Sequence, residues 1–78
     1  MAKNGPVAER ELARLAKKFR QAAGKSKADT ARELGVAAPT IFGAEEQPEM
    51  SLTKLRIRMI EAYSPFKVVG PVFVLEKK

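Results

Sequence analysis

Lys17, Lys18, Arg20, Lys27 and Arg32 lie close together in a stretch rich in positive charge, and ammonium and guanidinium groups so placed suit the phosphates of a polyanion. The same side chains would serve equally well as a solvated basic face. Nothing else in the sequence competes with them for chemistry. Histidine and cysteine are absent and no glycine-rich phosphate loop occurs. The neighbouring carboxylates Glu45 and Glu46 diverge by about 100° on a helix instead of converging on one atom. An active site needs a titratable group poised for proton or acyl transfer, and a zinc centre built from carboxylates alone runs against the ligand preference of the ion. A chain that is not an enzyme and holds no cofactor or metal is therefore expected.

The formal charge of +6 is concentrated rather than spread. Residues 1–25 carry seven basic side chains against Glu9 and Glu11, residues 26–44 are neutral, and residues 45–64 are slightly acidic. A length of 78 residues gives room for one domain with a modest core. Such a chain buries only about 60% of the surface it would expose when extended, so a second copy is a natural source of stability. No apolar run approaches the length of about 20 residues that spans a bilayer, and no signal-peptide segment opens the chain. A cytoplasmic protein with no membrane partner is the expectation.

Helices must position these cations. Ala8, Leu12, Leu15, Ala16, Phe19 and Ala23 recur at the 3.6-residue period and predict a first helix over residues 7–23, stopped by Gly24. Arg10, Arg14, Lys17 and Arg20 fall largely outside that stripe. Ser26 can cap a second helix that carries Ala28, Ala31 and Leu34 inward, and Gly35 can take the left-handed conformation that ends it. Val36 then fills the angle before a third helix over residues 38–44, where Pro39 needs no amide partner and Ile41 packs inward. The polar run Glu45-Glu46-Gln47-Pro48-Glu49 closes it. Ser51 starts a fourth helix with Leu52, Leu55, Met59 and Tyr63 on one side, widened by Ile57 and Ile60, while Lys54, Arg56 and Arg58 point toward water.

Beyond Ser64-Pro65 the pattern becomes that of strands, over residues 66–69 and 72–75. Gly70-Pro71 between them is either a tight hairpin corner or a bend in one longer strand. Pro71 cannot donate to a ladder, which places the second element at an edge or beyond the proline. Both faces of the segment are apolar, so Val68, Val72, Phe73, Val74 and Leu75 are expected to serve a homodimer as well as cover the helices. The alternative is a ribbon satisfied wholly within one chain.

Residues 26–41, with Glu45 beyond them, resemble the DNA-binding domain of the Cro and C1 repressor family, also called xenobiotic-response-element-like. The likeness rests on Ala31, Gly35, Val36, Thr40, Ile41 and Glu45, and the flanking helices extend it over residues 8–63. The strand tail is closer to Cro proteins than to the all-helical repressors. The resemblance implies a mainly α fold: a four-helix helix-turn-helix domain over residues 7–63 and a C-terminal strand or hairpin over residues 64–78, through which such proteins pair. It also implies a transcriptional regulator that occupies double-stranded DNA as a symmetric homodimer, its third helix in the major groove. The base-facing positions then fall on Ala38, Pro39, Thr40 and Gly43.

Two departures from the family pattern matter. None of those four residues can make the bidentate base contacts of Arg, Gln or Asn. Thr30 stands where the family usually has Leu, and it must bury a methyl while its hydroxyl finds a backbone carbonyl. Phe42, beside the base-facing positions, could lie against a methyl-rich groove or cover a protein neighbour. Weak or shape-based readout is one expectation; the other is an antitoxin-like protein-interaction module that keeps the fold and has lost strong DNA readout.

Overall fold

Leu12, Ala13 and Ala16, all buried, turn the N-terminal stripe into a helix that lies on the rest of the chain in the computed structural model, which describes residues 8–69 and 73–78. Among these residues the order is α1 (Glu9–Ala22), α2 (Lys27–Leu34), α3 (Ala38–Glu46), α4 (Thr53–Tyr63), β1 (Phe66–Val69) and β2 (Val74–Lys77). This is the expected mainly α fold with a short hairpin tail. The expected helix start at residue 7 lies outside the described residues. At the other end of α1 the Lys25 N–H bonds the Arg20 carbonyl and the Gly24 N–H bonds the Gln21 carbonyl, a paired closure around a left-handed glycine.

Local chemistry writes both ends of α2. Ser26 Oγ accepts from the Asp29 N–H at 3.0 Å, and Asp29 Oδ2 accepts from the Ser26 N–H at 3.2 Å, so two amides that a helix start leaves open are satisfied. Gly35, at φ +72°, ends the helix and sends the chain through Val36 and Ala37 into α3. Ala31 is buried and Leu34 half-buried as expected, whereas Ala28 is exposed. Thr30 is fully buried, but among the described residues its hydroxyl makes no hydrogen bond to a backbone carbonyl. Its methyl, not its oxygen, accounts for its place in the core.

The core joins Leu12 and Ala16 of α1, Ala31 of α2, Ile41 and Ala44 of α3, and Leu55, Met59 and Ile60 of α4. Two expectations for α4 need correction. It is preceded by Leu52, not capped by Ser51, and no side chain caps it. Arg56 is not turned to water: it is fully buried, because the last turn of α3 supplies carbonyls for it to bond.

The tail is an antiparallel hairpin, which excludes one long bent strand. Its register pairs Phe66 with Lys77, Lys67 with Glu76, Val68 with Leu75 and Val69 with Val74. The ladder thus begins beyond the proline, two residues later than residue 72. Leu75 closes the core from this side, and Phe66 reaches Phe19 of α1 with ring centroids 6.1 Å apart. No described helix is long and apolar enough to cross a membrane.

Candidate nucleic-acid interface

The phase of α3 gives it two unlike surfaces. Ile41, Ala44 and Glu45 turn inward, whereas Ala38, Pro39 and Phe42 are open to solvent and Thr40 is half-buried. Ile41 therefore faces the core, as its spacing predicts, and Ala38 and Pro39 stand at the exposed start of the helix. Gly43 departs from the expected reading surface. It is buried, and a Cβ there would lie 3.2 Å from both Leu52 Cδ1 and Met50 Sδ. The missing side chain lets the connection to α4 close over the helix, so residue 43 offers nothing to a groove. Phe42, 47% exposed, is the largest apolar side chain on the open face.

Arg20 departs from the expected phosphate surface in a similar way. It is only 6% exposed. Its Nε bonds Glu45 Oε2, its Nη2 donates to Glu45 Oε1 at 3.0 Å, and its Nη1 donates to the Lys25 carbonyl at 2.7 Å. Lys27 adds its ammonium 3.8 Å from Glu45 Oε1. A buried carboxylate needs its charge and lone pairs matched, and the guanidinium fork does this while fastening α1 to α3. The bond to Glu45 holds the guanidinium above its ordinary range, against the opposing effect of burial. The spacing of this pair fits the core only once the buried residues are known. Arg20 follows buried Ala16 by one helical turn and Glu45 follows Ile41 by one turn, so opposite charges complete two core stripes.

Two further cations expected at phosphates also have acidic neighbours. Lys17 Nζ is 2.7 Å from Glu46 Oε2, and Arg32 Nη2 is 2.5 Å from Asp29 Oδ1. The lysine hydrogen bond holds the Glu46 carboxyl below the usual carboxylate range. Both pairs are at the surface, where water and salt compete with them. Lys18 has no carboxylate within 4 Å among the described residues; its ammonium lies 5.9 Å from the centre of the Phe19 ring. On the opposite flank of α2, Lys25 meets Glu33 at 2.7 Å and the Tyr63 hydroxyl donates to Glu33 at 2.5 Å. Arg58 donates to the Leu34 carbonyl at 2.9 Å, beside the turn into α3. Charge counting along the sequence missed this role.

No protein-family model, curated protein or solved structure matches this chain. The face around α3 is thus defined by its own chemistry: an apolar helix surface on a domain whose acids are mostly engaged. Glu11, Asp29, Glu33, Glu45 and Glu46 each have a cation within 4 Å, whereas Arg10, Lys18, Lys54 and Lys67 have no such acidic partner among the described residues. The uncompensated charge is positive.

The hairpin divides the residues expected at a dimer contact. Leu75 is in the core, and Val68 and Phe73 pack against it. Val74 is half-buried and pairs with Val69 on the other face; Val72 lies outside the described residues. The Val68 N–H donates to Glu61 Oε2 at 3.0 Å, so a side chain of α4 occupies part of the free edge of β1. Among the described residues no hydrogen bond reaches the outer edge of β2.

Proposed function

We propose that this chain is a non-catalytic regulator of transcription that binds double-stranded DNA as a homodimer, with the open face of α3 in the major groove. The observation that carries the reading is the α2–turn–α3 pair, whose exposed residues Ala38, Pro39 and Phe42 belong to a chain of charge +6. The resemblance of residues 26–45 to the Cro and C1 repressor family supports it. With Gly43 and Arg20 turned inward, affinity comes chiefly from cations such as Lys18, Lys17 and Lys27 near the phosphate backbone, and base readout is weak. Two copies joined through the outer edge of β2 would present two α3 helices to successive major grooves about 34 Å apart. That pairing also covers a strand edge that would otherwise invite aggregation. A cytoplasmic site of action goes with this reading.

A second reading is favoured by one feature. Phe42 and Met50, the latter 44% exposed, flank Gly43 near Glu46 and Glu49, a setting that suits a protein neighbour better than phosphates. Titrating a labelled mixed-sequence duplex between about 50 and 200 mM salt separates the two. The regulator predicts binding that weakens log-linearly with salt, a slope flattened by about one unit in Lys18→Gln, and two chains per particle by light scattering. Absence of duplex binding at the lowest salt would remove the regulator in favour of the interaction module.

A further inference from the structure

We propose that Phe42 sets the sequence preference of this face by covering the C5-methyl groups of thymines, so that the favoured duplexes are thymine-rich where α3 enters the major groove. The inference rests on the DNA-binding reading above and names the class of sequence that it would select. Three observations converge on it. First, the exposed residues over the first turns of α3 are Ala38, Pro39 and Phe42, none of which carries a side-chain donor or acceptor; Thr40 is half-buried, and Glu46, exposed in the last turn, is paired with Lys17. Second, the other nearby positions are withdrawn: Gly43 is beneath Met50 and Leu52, and Glu45 is bonded to Arg20. Third, a chain of charge +6 suits an anionic occupant, and Arg10, Lys18 and Lys54 have no acidic partner among the described residues.

In the major groove the thymine methyl is the group that an apolar side chain can read, whereas the base-edge donors and acceptors need polar partners that α3 lacks at these positions. A phenyl ring half out of water gains by covering a methyl and loses by facing the amino group of cytosine. Cytosine at that place is therefore disfavoured as well as unread. Ala38 and Pro39, one turn earlier on the same open side, extend the apolar strip along the groove.

The test uses two versions of one randomised duplex pool, one made with thymine and one with deoxyuridine, which pairs identically and lacks the methyl. Wild type is expected to bind the thymine pool more tightly, by about fourfold for each methyl covered. Phe42→Ala should bind both pools alike, with an unchanged salt slope and an unchanged helical circular-dichroism signal. Phe42→Leu, still apolar, should keep part of the preference. Equal binding of both pools by wild type would overturn methyl reading and leave DNA binding standing. A preference that persists undiminished in Phe42→Ala would overturn the role of this residue. Failure to bind either pool would remove the DNA-binding reading and this inference with it.

Discussion

Arg56 has no exposed surface; its Nε donates to the Ala44 carbonyl at 2.9 Å and its Nη2 to the Gln47 carbonyl at 2.8 Å. Helix ends leave their last carbonyls without intrahelical partners, and here a guanidinium from α4 supplies them. Arg20 does comparable service for Glu45, whose side chain has no exposed surface. Truncating one member of such a pair leaves the other charge buried and unmatched. Arg20→Ala is therefore expected to lower unfolding free energy by about 3–5 kcal/mol, whereas joint replacement by Met at 20 and Leu at 45 should be close to neutral. Urea denaturation reads both. A loss below about 1 kcal/mol in the single variant would mean that the guanidinium is free to act elsewhere. Leu12, Ala16, Ile41 and Met59 were legible because an apolar residue at helical spacing has one place to go. The two arginines were not. Periodicity gives the side of the helix on which a residue lies, but not whether a carboxylate or carbonyl waits there.

At the scale of elements, both ends of α2 were legible because Ser26 and Gly35 are the residue types that a helix start and a left-handed stop require, whereas Ala28, expected inward, is exposed. Gly35→Ala isolates the stop. An added Cβ meets nothing within 4 Å, so the cost is that of a left-handed backbone alone, about 1–2 kcal/mol, read as a lower melting temperature. A larger loss would point to packing that the turn does not show. The start of α4 was misplaced because Leu52 precedes it and no capping side chain marks the boundary. Hairpin register is hidden for another reason: with apolar residues on both faces of the tail, the alternation that fixes register is weak. The phase of α3 was half legible. Ile41 fixed the inward side, but the burial of Gly43 depends on how the connection to α4 folds Met50 and Leu52 back over the helix, which periodicity does not give.

Across the whole molecule, α1 and α4 pack most extensively on each other, and β1 lies along α4. α2 rests mainly on α3. Beyond the buried Thr30 and Ala31, side-chain straps hold it: Tyr63 to Glu33, Arg58 to the Leu34 carbonyl, and Arg20 to the Lys25 carbonyl just before the helix. An element held this way opens at lower free energy than the body that carries it. Amide hydrogen exchange should therefore be slowest in the middle turns of α1 and α4 and at least about tenfold faster in α2, which corresponds to a gap of about 1.4 kcal/mol. Uniform protection of all four helices would refute this. On the DNA-binding reading proposed above, the consequence for a bound duplex is dynamic. Phosphates laid across α2 would latch an element that breathes on its own in the free protein, and the gain in protection on binding would be largest there, in the helix that reads no bases.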